Sequence, residues 1–233
     1  MSDAAEATST ARFRIEDWMA CGPGLTDPRN EVTLPSMLRR RISNVGQMAF
    51  RASYAIGEQR TARFVFCSRH GDFDRTLRIL KSIVAKEPVS PADFSLSVHN
   101  ALAGQLSIVW GNTAGHTAIA AGADSFAYGL LEGATSVNEA EQRVLVVYCD
   151  DVLPPPYTEI DDGTETCVAL ALLLAPPAHD ADDFSIEIGP RGSARQPQPA
   201  TSQALSFIKF MLSGEREKSV IGERSQWRWR RGA

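Results

Sequence analysis

Residues 94–133, FSLSVHNALAGQLSIVWGNTAGHTAIAAGADSFAYGLLEG, constrain the fold more than any other part of the chain. The stretch reads as a short extended lead, a helix, a glycine-marked turn and a second helix of unusually small residues. Asn100 stands where a side-chain oxygen can accept from a backbone N–H of the first helical turn. Ala101, Leu102, Leu106, Ile108 and Val109 give that helix an apolar surface. Gly111 and Gly115 punctuate the segment between the two helices. From 118 to 133 the chain is mostly Ala, Gly and Ser, with Phe126, Tyr128, Leu130 and Leu131 set between them. Small residues let neighbouring backbones come close, so this helix belongs at the centre of a domain.

Around it, strands and helices alternate. The apolar runs 62–67 (ARFVFC), 143–149 (RVLVVYC) and 167–174 (CVALALLL) read as strands, the last two buried on both faces. A shorter alternating run covers 184–188, and Arg12-Phe13-Arg14-Ile15 reads as an edge strand. Helical spacing covers 36–54 and 73–86, and Ser90-Pro91-Ala92-Asp93 opens a further turn of helix. The pattern predicts an α/β fold, a mixed central sheet with helices on both faces and a buried small-residue helix. Residues 12–189 form the expected domain, after a disordered lead-in at 1–11. A linker at 190–200, a helix at 202–212 and a basic, aromatic tail complete the chain to 233.

With 233 residues, 43% of them apolar, the chain can bury a substantial core. Its net charge of −4 argues against a general nucleic-acid surface. No run approaches the ~18 apolar residues of a membrane span. The first residues lack the basic-then-apolar pattern of a secretory signal, which points to the cytoplasm. Cys21, Cys67, Cys149 and Cys167 form no C-x-x-C pair and read as reduced, partly buried thiols.

Several residues carry potential chemistry. Arg39-Arg40-Arg41 fits a phosphate or carrier-protein contact, or a plain solvated face. Ser68-Arg69-His70-Gly71 comes after a strand, at the kind of βα junction where α/β proteins place ligands. Cys67 beside His70 invites a nucleophile–base reading, but a Cys closing an apolar strand is ordinarily core. His99 and Asn100 fit either carbonyl polarisation or local backbone satisfaction. His116 is equally open. His70, His99 and His116 lack metal-ligand spacing, so no metal and no cofactor is expected. Asp124 and Ser125 stand near the start of the second helix, where an acid is favoured by the dipole alone. The tail Trp227-Arg228-Trp229-Arg230-Arg231 suits base stacking, a protein interface or a loose end, and the acidic chain favours the latter two.

The strand-like 117–120 leading into a small-residue helix resembles the nucleophile elbow of the β-ketoacyl synthases, in the thiolase-like fold. That family carries a Thr-Ala-Cys-Ser-type motif whose Cys takes the acyl chain at a helix N-terminus, where the dipole favours a thiolate. On this resemblance Gly122 stands at the Cys position, so the elbow has no nucleophile. A short family of ketosynthase-like chain-length factors of aryl-polyene pigment pathways is similar over residues 12–175. The residues that carry the likeness are 34–41 (LPSMLRRR), 68–71 (SRHG), 94–101 (FSLSVHNA), 121–126 (AGADSF) and 146–150 (VVYCD). The resemblance implies a non-catalytic half-ketosynthase that pairs with a complete β-ketoacyl-ACP synthase as a heterodimer and shapes its acyl tunnel. Gly122, Asp124, Ser125, Phe126 and Tyr128 would border that tunnel. Acyl carrier protein would be met directly or through the partner, and an isolated chain could form a homodimer. Open alternatives are an acyl or carrier-protein binding module, a weak acyl-thioester hydrolase using Ser125, His99 or His116, and a purely structural partner.

Overall fold

A computed structural model describes residues 9–25, 27–159, 166–178, 180–191 and 202–232. The described residues open on β1 (Ser9–Cys21), and a single helical turn, α1 (Ser36–Arg39), precedes α2 (Asn44–Ile56). β2 (Arg63–Cys67) leads to three helices, α3 (Phe73–Ala85), α4 (Pro91–Ser97) and α5 (Ala101–Trp110). Next come β3 (His116–Ile119), α6 (Ser125–Ala140), β4 (Val144–Asp150), β5 (Val168–Ala175) and β6 (Asp183–Pro190). α7 (Gln203–Ser213), β7 (Glu217–Ile221) and β8 (Ser225–Arg231) complete the fold.

The strands form one eight-stranded sheet in the order β3-β2-β4-β5-β1-β6-β8-β7. β2 is parallel to β3 and β4, whereas β5 is antiparallel to β4 and β1. Every residue of β4 and β5 is buried, as expected of continuous apolar runs covered on both faces. Alternate residues face two cores. Val65, Cys67, Val144, Val146, Leu170 and Leu172 meet α6 and α7, whereas Phe64, Phe66, Leu145, Val147, Ala169 and Ala171 meet α2 and α5.

α6 is the small-residue helix, and its glycines explain its composition. A Cβ on Gly129 would overlap the Cys67 sulfur, and one on Gly133 would overlap Val146 Cγ2. The helix therefore lies against β2 and β4 almost backbone to side chain, a spacing only glycine allows.

Four sequence expectations change. β1 lies between β5 and β6 rather than at an edge, because its alternation continues to Cys21 and feeds both cores. Residues 94–97 are helical, since Ser90 Oγ accepts from Asp93 N (3.2 Å) and starts α4 there. The 36–54 helix breaks between Arg39 and Asn44, leaving Met37 69% exposed. The basic, aromatic tail is neither an interface arm nor a loose end. β8 pairs with β6 and β7, and its alternation buries Trp227 and Trp229 while Arg228 and Arg230 reach Glu187. Most of the 1–11 lead-in and of the 190–200 linker lies outside the described residues.

Candidate functional site

Five residues, Ala120 to Asp124, carry the chain from β3 to α6. Gly122 takes φ +60°, a left-handed conformation that L side chains rarely adopt. Ser125 is 1% exposed; its Oγ donates to Gly122 O (2.7 Å) and accepts from Ala121 N (2.9 Å), so the hydroxyl ties the turn. That is a positioning role, not a nucleophile's.

Asp124, fully buried, is the hub of this region. Its Oδ1 accepts from Gln203 Nε2 (2.7 Å), Glu223 N (3.1 Å) and Trp227 Nε1 (3.1 Å), and its Oδ2 from Arg224 N (2.9 Å). Gln203 Oε1 in turn accepts from Ala127 N (3.3 Å) in the first turn of α6. The carboxylate thus fastens the β7–β8 turn onto the start of the helix. Gly222 in that turn is pressed so close that a Cβ would overlap Asp124 Oδ1.

Phe126 does not border an open space. It is buried against Tyr148, Phe207 and Trp229. Gly122 and Tyr128 do line one: an open cleft of about 520 Å3 whose other walls include Ile119, Leu131, Glu132, Thr135 and Arg224. The cleft lies beside β3, which among the described residues is an edge strand paired with β2 alone.

The other motif residues gather round a second buried carboxylate, Asp150. It accepts from Ser68 Oγ (3.0 Å), Arg69 N (2.7 Å) and His70 N (3.1 Å), while Gly71 N donates to Ser68 Oγ (2.8 Å). Burial raises the Asp150 pKa, and the N–H groups of Arg69 and His70 oppose the rise. The β2–α3 junction is therefore a turn wrapped on a carboxylate. His99 Nε2 donates to Ile119 O (2.9 Å), and its ring rests on Phe66 with centroids 5.6 Å apart, so it braces the end of β3. Ser97 Oγ donates to Phe94 O (2.8 Å) at the end of α4. Asn100 occupies the N-cap position of α5 but its side chain makes no capping bond there. His116 is exposed at the start of β3.

Burial pushes up the pKa of every thiol, that of Cys21 to about 11 and that of Cys167 to about 12, with Cys67 and Cys149 also raised. Cys67 is fully buried in the core with its Sγ on Val147 O (3.6 Å), which is the core reading and not the nucleophile–base one. Among the described residues no group of three His, Cys, Asp or Glu could hold a metal ion, and no helix is long and apolar enough to cross a membrane.

Arg39, Arg40 and Arg41 are exposed, and among the described residues they form no ion pair. Arg75, clamped between Asp72 and Asp93, donates to Arg41 O (2.8 Å) and fixes their turn against α3. Several apolar side chains face outward on α3, α4 and α5. Val84 is 83% and Ile108 75% exposed, and Ile83, Phe94 and Val98 are each more than half exposed. The expected apolar face of α5 is thus only partly inward: Ala103, Leu106 and Trp110 are buried, while Ile108 and Val109 are not.

The sequence reading does not include Gln203, Glu223 and Arg224, and it puts Trp227 in a tail rather than at this site. The signal was available: strict alternation over 227–230 preceded by a Gly-containing turn is a hairpin pattern.

A mixed sheet with helices on both faces and a strand–turn–helix elbow against its edge defines a thiolase-like α/β domain. The β-ketoacyl synthase N-terminal domain family matches residues 17–230, and the chain belongs to it. Among solved structures, one similar chain comes from a complex of the ketosynthase ApeO with its chain length factor ApeC, from Xenorhabdus doucetiae. Identity is 29%, the TM-score is 0.82, and the match covers 94% of this chain and 99% of that one. The ishigamide ketosynthase/chain length factor shares the fold at 12% identity and a TM-score of 0.58, over 78% of this chain and 68% of that one. A β-ketoacyl synthase from Burkholderia phymatum STM815 does so at 13% identity and a TM-score of 0.53, over 75% of this chain and 54% of that one. No curated protein matches the sequence.

Proposed function

We propose that the chain is a non-catalytic ketosynthase-like subunit, a chain-length factor, that pairs with a complete β-ketoacyl synthase and shapes its acyl tunnel in polyene or fatty-acid-type assembly. The observation that carries this reading is a strand–turn–helix elbow with a glycine, at φ +60°, where the family resemblance puts the nucleophile. The likeness to a chain of a ketosynthase–chain length factor complex supports it. The outer edge of β3, unpaired among the described residues, an open cleft beside it and outward-facing apolar residues on α3, α4 and α5 are what a partner of the same fold would cover. The cleft would then lie at the boundary with the partner, with Gly122 and Tyr128 in its wall and Asp124, Ser125 and Phe126 supporting it from behind.

Co-expression with a complete ketosynthase, with mass read by light scattering, tests the pairing. A stable one-to-one complex is expected. A chain that stays monomeric or homodimeric beside every such ketosynthase overturns it.

Three exposed guanidinium groups on a fixed turn favour a second contact, with an acidic carrier protein. Reversing Arg39, Arg40 and Arg41 to Glu is expected to weaken carrier-protein binding to the complex at least ~10-fold at low salt, the loss shrinking as salt rises. Unchanged affinity, read by titration calorimetry, assigns the run to a solvated face.

A further inference from the structure

Glu223, in the β7–β8 turn, lies a hundred residues from the elbow in sequence and against it in space. A Cβ on Gly122 would overlap Glu223 Oε2 and lie 3.3 Å from its Cδ. The same Oε2 accepts from Ala123 N (3.2 Å). Both ends of the residue are held: Glu223 N donates to Asp124 Oδ1 (3.1 Å), and Glu223 O accepts from Arg191 Nη1 (2.6 Å). Gly222 before it is locked on Asp124, and Arg224 after it lines the cleft beside β3.

We propose that Glu223 is the built-in occupant of the elbow, a side chain from the last hairpin standing where a side chain at position 122 would stand. The turn that carries it is fixed at three consecutive residues, so the carboxylate is delivered to this place rather than resting there. A carboxylate suits it, because the start of a helix favours negative charge. Glycine at 122 is then required by the φ angle and by the occupant together. The elbow is closed to acylation by occupancy as well as by the missing thiol. Glu223 is thus a positioning residue that sets one wall of the cleft, whichever protein pairs with the chain.

The test introduces a reporter thiol on the full chain. Gly122→Cys is compared in the native background and together with Glu223→Ala. Alkylation by iodoacetamide is located by mass spectrometry, and stability is read by denaturant titration. Backbone strain at φ +60° is common to both backgrounds and cancels. Labelling at position 122 is expected to be about tenfold faster when Glu223 is truncated, and the two substitutions are expected to be less destabilising together than their sum by a similar factor. Gly122→Cys with Glu223→Gln keeps the occupant and should label as slowly as Gly122→Cys alone. If Gly122→Cys does not fold, Gly122→Ala with and without Glu223→Ala reads the same coupling. Additive stabilities, or equal labelling in the two backgrounds, overturn the proposal.

Discussion

Replacing Asp124 with alanine is expected to destabilise the protein by about 4 kcal/mol or more, among the largest effects of any single change. The carboxylate accepts from four donors supplied by three separate segments, and it is fully buried. Its removal leaves Gln203 Nε2, Trp227 Nε1 and the N–H groups of Glu223 and Arg224 without an acceptor. Each buried orphan costs about 1–3 kcal/mol, less whatever water recovers. Asp124→Asn is the informative companion. An amide oxygen at Oδ1 keeps three of the four bonds, but the amide nitrogen then meets the Arg224 N–H donor to donor. A loss of about 1–3 kcal/mol is expected for it. Urea titration checks both values, and hydrogen exchange should show the β7–β8 hairpin opening first in either variant. An alanine variant within ~1 kcal/mol of the parent would mean that the hairpin is held by packing alone.

Trp229→Ala is expected to cost about 3–5 kcal/mol. The indole is 1% exposed and touches Phe126, Phe207 and Phe210, with centroids 6.2, 5.1 and 6.2 Å away, so truncation opens a cavity between α6, α7 and the sheet. Its Nε1 has no acceptor among the described residues. Trp229→Phe therefore sacrifices volume only, and about 1–2 kcal/mol is expected. The neighbouring Trp227 behaves differently, because its Nε1 donates to Asp124. Thermal unfolding of the two Trp→Phe variants should rank Trp227→Phe as the more damaging. The reverse order would show that shape outweighs the hydrogen bond here.

The core strands and the central helix were legible because their signals are local. The fully apolar runs at β4 and β5, the Pro91 start of α4 and the small-residue α6 each arise from a few adjacent residues. The fold class came from their alternation. The site was less legible, because its residues are brought together by pairing across the chain. Asp124 looks like an acid at a helix start, and only the hairpin docked on it shows that it is a structural hub. Gly122 reads as a lost nucleophile, but the side chain filling its place comes from a hundred residues away. Ser68, Arg69 and His70 resemble a ligand loop until Asp150 is seen inside it. The alternating tryptophans carry a strand period, but the arginines between them read equally well as a basic surface. Outward apolar residues on α3 could not be told from core residues, since helical spacing records amphipathicity and not which face is covered.

The position of β1 also bears on how the chain reaches this fold. Arg14 pairs with Ala175 and Ser9 with Ile188, so the strand made first is joined by partners made very much later. Until those arrive, a thirteen-residue strand with an apolar stripe has neither neighbour. Closing loops of that length is entropically costly before any contact rewards it, which makes acquisition of the sheet slow and of high contact order. Through that interval the nascent segment is an adhesive edge, and its interspersed Arg12, Arg14, Glu16 and Asp17 serve as gatekeepers against pairing with the wrong chain.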